Sequence, residues 1–415
     1  MRSSIQYALG LALATTMAVS HATTLTIESW RVDDSDLWED VLIPVFEAEH
    51  PDIQVRFSPT SPTEYDSTVN ARLQAGTAGD LITCRPFDVS LNLYQEGHLL
   101  DLTDMAAMDN FEDFARSAWT TDDGASTFCM PMASVIHGFL YNPEIFAELD
   151  LEVPRTEDEF LAVLDTIEQE SSYTPLALGT NDQWESNQIV YTNIGPAFWG
   201  GEAGRQALLD GSASFTDPEF VAPFEHMARW GEYMGRGYES QTYGDSQNLF
   251  SLGRAAIYPT GSWDISYFNQ QALFEFDAFP PFRVGDDGQC VISDHTDIGM
   301  GINPDSENAE AAKLFLEWLA SEGFARLYTN EVTGFFSLSK HEVEVRDPVA
   351  AEMINWRQDC DSTIRLNAQI MNRGTPNMEQ ELWTVGSRVL NGAMTPQEAA
   401  ERIQNGFSSW YAPQQ

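Results

Sequence analysis

From residue 23 onward, short apolar segments alternate with amphipathic ones. Thr24-Leu25-Thr26-Ile27-Glu28 alternates apolar and polar side chains and predicts a strand. Asp36 is placed to cap a helix whose apolar positions are Leu37, Val41, Leu42, Val45 and Phe46, stopped by His50-Pro51. Ile53 to Phe57 alternates again as a second strand, and a helix over Glu64 to Leu73 ends at Gly76. Asp80 to Cys84 is short and nearly all apolar, as in a strand of a parallel sheet. Strand, helix, strand, helix, strand is the grammar of an α/β fold.

The same grammar continues. Phe128 to Met132, Gly138 to Tyr141, Ala255 to Tyr258 and Ile298 to Ile302 predict strands. Thr156-Glu157-Asp158-Glu159 is a capping box ahead of Phe160, Leu161, Val163, Leu164 and Ile167. Asp217-Pro218 opens a helix through Phe220, Phe224, Met227 and Trp230. Ala309 to Leu319 is amphipathic, and Thr395-Pro396-Gln397-Glu398 opens a C-terminal helix. There is no internal repeat, low-complexity tract or flexible linker, so α/β lobes within this chain are joined by short crossings.

The first residues read as a targeting segment. Arg2 supplies positive charge, Ile5 to Val19 is apolar, and Ser20-His21-Ala22 is a small-x-small cleavage site. The expected protein is exported to the periplasm, cleaved near Ala22, without a lipid anchor.

Composition narrows the partners. Among 415 residues there are 64 Asp+Glu and 21 Lys+Arg, a formal charge of −43, and Lys313 and Lys340 are the only lysines. Nucleic acid needs clustered cations and is excluded as a partner, and an anionic membrane surface is disfavoured. The acid excess is dispersed along the chain. Its self-repulsion is screened when the Debye length falls to about 3 Å at 1 M salt, so the composition predicts a halophilic protein.

Signatures of catalysis fail. The residues before Lys313 and Lys340 are Ala312 and Ser339, so there is no phosphate loop. His341-Glu342 is followed by Val345 where a zinc protease needs His, and Gly299-Met300-Gly301 lacks a third glycine. No cofactor or metal is expected. The four cysteines, Cys84, Cys129, Cys290 and Cys360, form no Cys-x-x-Cys pair. Export makes disulfides the expectation, with three pairings open.

What stands out is aromatic residues in loops: Trp30 after the first strand, Trp184 within Thr180 to Glu185, Trp199 before Gly200-Gly201, Trp263 after Gly261-Ser262, and Phe335-Phe336 after Gly334. Ligands of open α/β sheets bind beyond the carboxyl ends of strands. Flat aromatic faces there suit the apolar face of a sugar ring, with polar side chains bonding its hydroxyls. The alternative place for any one of them is the core or the contact between lobes.

The order of segments resembles the extracellular solute-binding proteins of ABC transporters, in the sugar-binding group that includes maltose-binding protein. The similarity runs through Leu25 to Trp30, Phe46 to Val55, Gln74 to Ile82, Tyr94 to Leu102, Gly138 to Phe146, and Gly253 to Tyr258 with Gly261-Ser262-Trp263. Ala78-Gly79 stands where the family often has Pro before Asp, and Arg254 replaces the commoner Lys.

The resemblance implies a two-lobe periplasmic-binding-protein architecture with a ligand cleft between the lobes. Residues 1–22 would be the signal peptide, 23–131 and 294–335 lobe one, and 132–293 and 336–415 lobe two, with crossings near Pro131, Ser293 and Phe336. Disulfides kept within lobes would then be Cys84–Cys129 and Cys290–Cys360. Carried over position by position, the ligand-binding set is Trp30, Asp33, Tyr65, Arg85, Phe87, Asp88, Ser134, His137, Gln183, Trp184, Glu185, Trp263, His295, Phe335 and Trp383. The family's acidic contact falls on Val135 in this chain.

The implied function is a monomeric, non-enzymatic binding component that delivers a sugar or oligosaccharide to permease subunits in the inner membrane. Alternatives are the same fold binding a glycosylated osmolyte, a polyamine or a metal ion, or an exported carbohydrate-active enzyme. Polyamine would require converging carboxylates, a metal Tyr/His clusters, and an enzyme a catalytic pair that the residues do not single out.

Overall fold

The computed structural model describes residues 22–415, so the expected targeting segment lies, but for Ala22, outside the described residues. No helix among the described residues is long and apolar enough to cross a membrane. The strands are β1 (Thr23–Ser29), β2 (Ile53–Pro59), β3 (Leu81–Cys84), β4 (Met130–Tyr141), β5 (Thr174–Leu176), β6 (Ala255–Gly261), β7 (Asp277–Phe279), β8 (Val291–Ile302), β9 (Phe336–Ser337) and β10 (Asp361–Thr363). They run side by side in the order β2-β1-β3-β8-β4-β6-β5, with β7 and β9 on β4 and β10 on β8.

The first three strands pair in parallel, as their βαβ spacing requires, and β8 closes onto β3 antiparallel with Leu81 opposite Ile302. Two features depart from the sequence expectation. The segments read as separate strands around Met132 and Gly138 are one twelve-residue strand, β4, buried throughout. Likewise Val291–Ile302 is one twelve-residue strand rather than the five residues from Ile298. Pro131 and Gly138 interrupt the apolar pattern of β4, and Ser293 to Asp297 of β8 are all polar. Yet the two strands pair antiparallel from Met130↔Met300 to Ile136↔Asp294, with irregular register between Pro131 and Ser134 that absorbs the proline.

Two hydrophobic cores sit at the two ends of this pair. The first gathers Leu25, Trp38, Phe46, Leu81, Trp119, Met300 and Phe315; the second gathers Phe139, Phe160, Tyr191, Trp230, Tyr258, Leu382 and Phe407. Along β4 the packing changes from the first core to the second between Val135 and Ile136. Met132, Ala133 and Val135 therefore pack with the first core, although a boundary at 131 assigns them to lobe two. Along β8 the change lies between Ile292 and Ile298; after Phe335 of the first core, Phe336 packs with the second, where β9 pairs with β4, and Leu338 with the first again.

Local signals explain several helix starts. Thr156 and Thr395 each form the full capping box with Glu159 and Glu398. Asp36 does not cap: the first helix begins at Ser35, and its N-cap position, Asp34, makes no side-chain bond to the helix. Disulfides join Cys84 to Cys129 in the first core and Cys290 to Cys360 in the second, the pairing expected from the resemblance.

Candidate functional site

A cavity of about 620 Å³ opens between the two cores, over the β4–β8 pair. The loop after β1 supplies Trp30, Arg31 and Asp33 to its wall; Pro62 follows β2 and Arg85 follows β3. From the other side come Trp184, Gln188, Tyr243 and Trp263, with Trp263 following β6, and Arg365 and Trp383 from the C-terminal part. His137 of β4 and His295 and Asp297 of β8 form the floor. The wall from the first core lies at the carboxyl ends of parallel strands, where such sheets bind ligands.

Each tryptophan is held differently. Trp30 is nearly buried, meets Tyr65 edge-on at 5.4 Å, and carries the Arg85 guanidinium over its face at 4.5 Å. Trp184 is half-buried, edge-on to Tyr243 at 4.9 Å. Trp263 is half-buried, touches both cores and meets His137 edge-on at 5.0 Å. Gly261 is required beneath it, because a Cβ there would lie 1.9 Å from the Trp263 ring. Trp383 rides on the helix Met378–Leu390, and its indole N–H has no partner among the described residues.

The charges on the wall are matched. Arg31 pairs with the fully buried Asp34, and its other amino group donates to the Trp263 carbonyl at 3.3 Å. Arg85 donates to Asp66 at 2.7 Å and to the Pro62 carbonyl at 3.1 Å. Arg365 donates to Gln188 at 2.7 Å and lies 3.6 Å from Asp297, leaving its Nε without a partner. Burial pushes the Asp33 carboxyl up against the opposing pull of Arg31. Behind the wall, burial and then the Asp33 charge push Asp264 up to about 6 while Thr260, Tyr243 and Gln247 donate to it.

The floor histidines meet Nε2 to Nε2 at 3.0 Å. His295 Nδ1 donates to the Thr296 carbonyl at 2.8 Å, so its Nε2 accepts and His137 Nε2 is the donor. Burial holds both imidazoles well below their usual pKa, and both are neutral at pH 7.

A wider chamber of about 940 Å³ adjoins the cavity across Arg85 and Trp383. It is mostly polar, with Asn70, Asn92, Asn372, Glu379 and Gln380 on its wall.

Of the residues expected from the sequence, Trp30, Asp33, Arg85, His137, Trp184, Trp263, His295 and Trp383 come together in the cavity. Tyr65 lines the adjoining chamber, its hydroxyl donating to the Thr83 carbonyl at 2.7 Å. The others lie elsewhere. Phe87 packs against the first core, and Asp88 is fully buried in an ion pair with Arg373. Ser134 accepts from Arg357 at 3.0 Å; Gln183 is an exposed turn residue with φ 53°. Glu185 is buried behind the wall, where desolvation pushes its carboxyl well up. Phe335 is core beneath Arg31, and Trp199 is core stacked on Phe220.

Arg31, Pro62, Gln188, Tyr243, Asp297 and Arg365 line the cavity without having been singled out. Arg31 adjoins Trp30, and Gln188 lies one helical turn beyond Trp184, so position alone could have flagged those two. Nothing local marks Arg365 or Tyr243.

Comparison with known proteins gives the family. The bacterial extracellular solute-binding protein family matches residues 32–325. The chain belongs to that family. It is 22% identical over 292 residues, 68% of this chain and 67% of the relative, to the multiple sugar-binding protein of Streptococcus mutans. A chitin oligosaccharide binding protein superposes with a TM-score of 0.79 at 20% identity, over 94% of this chain and 100% of that one. A sugar transporter from Bacillus licheniformis in complex with stachyose superposes with a TM-score of 0.74 at 18% identity, over 93% and 99%. At these identities the likeness shows the two-lobe α/β fold of solute-binding proteins.

Proposed function

We propose that this solute-binding protein takes up a neutral sugar or oligosaccharide in the cavity between its lobes and delivers it to ABC-transporter permease subunits. The carrying observation is four tryptophans and three ion-paired arginines lining one cavity from both sides. Aromatic faces pack on pyranose rings, and a guanidinium already matched by a carboxylate offers donors to hydroxyls without asking the ligand for charge. The three arginines oppose a polyamine. The sugars in the names of the S. mutans, chitin-oligosaccharide and stachyose proteins support the same class, and the adjoining chamber leaves room for more than one ring.

In this reading lobe one comprises about 23–135 with the second half of β8 through about 340, and lobe two the remainder, the crossings lying within β4, within β8 and after β9. The protein works in the periplasm of a salt-adapted cell after cleavage near Ala22, binds as a monomer and performs no chemistry. A thermal-shift screen of neutral mono- and oligosaccharides tests the reading. A ligand at 100 times its Kd stabilises by about 2.7 kcal/mol. If only amines, acidic sugars or compatible solutes raise Tm, or a stabilising sugar is turned over, the reading fails.

A further inference from the structure

Arg373 lies outside the cavity, on the segment of the second core that carries Leu366 and Met371. Its partners sit on segments that carry the first core, Asp88 ahead of Leu91 and Asp122 between Trp119 and Phe128. Arg373 Nε donates to Asp88 Oδ1 at 2.7 Å, and its two amino groups donate to Asp122 at 2.8 and 2.9 Å. The other oxygen of Asp88 accepts from the Asn372 backbone N–H at 3.3 Å. The Asp88 carboxylate is fully buried, and both its oxygens are bonded across the lobes. Parting the lobes would remove both partners at once, which penalises opening.

Two further observations set this contact apart. The backbone is strained on each side of it: Phe87, next to Asp88, has φ 58°, and Ile370, three residues before Arg373, has φ 74°. A β-branched residue in that region is an outlier, held there only when the surroundings impose it. The contact is also linked to the cavity. The Asn372 amide donates to Glu379 at 3.1 Å; Glu379 accepts in turn from Gln188, and Gln188 accepts from Arg365 at 2.7 Å. Gln188 and Arg365 are cavity wall.

We propose that Asp88, Arg373 and Asp122 form an interlobe clasp that holds the cleft shut and is tied to the ligand through Asn372, Glu379, Gln188 and Arg365. Arg373 is then a positioning residue, setting how long a ligand stays and not which ligand binds. The Asp122 arm is solvent-exposed and weakens in salt, whereas the buried Asp88 arm is shielded and persists.

The test needs no sugar, so it stands or falls apart from the proposed ligand. Small-angle X-ray scattering of the ligand-free full chain gives the ratio of compact to open molecules. Arg373→Met should lower that ratio by about ten-fold, the scale of one charged hydrogen bond, with unchanged far-UV circular dichroism. Asp122→Asn, at an exposed position, should lower it less and covers the case in which Arg373→Met does not fold. Adding Asp122→Asn to Arg373→Met should change nothing further, because one contact has already been removed. Unchanged scattering for Asp122→Asn and Arg373→Met, additive effects of the pair, or a wild-type chain with no compact population would each overturn the clasp.

Discussion

Replacing Trp263 with alanine separates a ligand-stacking ring from a structural one. The ring is half-buried, touches both cores and lines the cavity. An aromatic side chain buries 150–250 Å² when fully enclosed, so one face on a sugar covers roughly 80 Å². At about 25 cal/mol per Å² that is about 2 kcal/mol, a thirty-fold loss of affinity. Truncating a fully buried tryptophan costs about 3–5 kcal/mol, and one that keeps part of its face open costs less. Tm should therefore fall by only about 4–8 °C. Titration calorimetry with the sugar found in the screen, on folded protein at matched concentration, reads the first number; calorimetric melting reads the second. Trp263→Phe should keep part of the affinity because a smaller face remains. Gly261→Ala should reproduce much of the loss, since its methyl would sit 1.9 Å from the ring and displace it. Unchanged affinity in Trp263→Ala together with a large fall in Tm would refute the stacking role.

Three other outcomes are expected. With a formal charge of −43, the protein should gain Tm steadily from low salt to about 1 M NaCl; a flat or falling curve contradicts salt adaptation. Denatured, unreduced protein should titrate no thiols, and reduction should destabilise it by about 4 kcal/mol per bridge, given loops of 45 and 70 residues; four reactive thiols before reduction would show that the bridges do not form. Asp264 keeps its proton up to about pH 6 when folded and loses it near 4 when unfolded, so its contribution to stability falls between pH 4 and 6 and is constant above. Urea titrations should thus show wild type losing roughly 3 kcal/mol relative to Asp264→Asn across that window, and parallel pH profiles would exclude the shift.

Much of the architecture was legible because it is written in local pattern. Alternation and capping boxes set the parallel strands and several helices, since period and cap chemistry act within a few residues. Trp30 and Trp263 were legible for a related reason, each a large apolar ring placed just after a strand, whereas Trp199, read the same way, went into the core. The order of segments carried the family. What the chain could not reveal locally was the middle of the molecule. Ser293 to Asp297 is all polar, yet β8 runs straight through it because β4 pairs along its length and the cleft accepts those side chains. The same physics moved Asp88 from expected ligand contact to ion pair: Arg373, 285 residues away, reaches it only once the second lobe has folded against the first. Arg365 enters the cavity, and Glu185 and Phe335 leave it, for the same reason. Backbone pattern depends on neighbours in sequence, whereas which charges meet across a cleft depends on how two finished lobes sit together, and only the tertiary structure decides that.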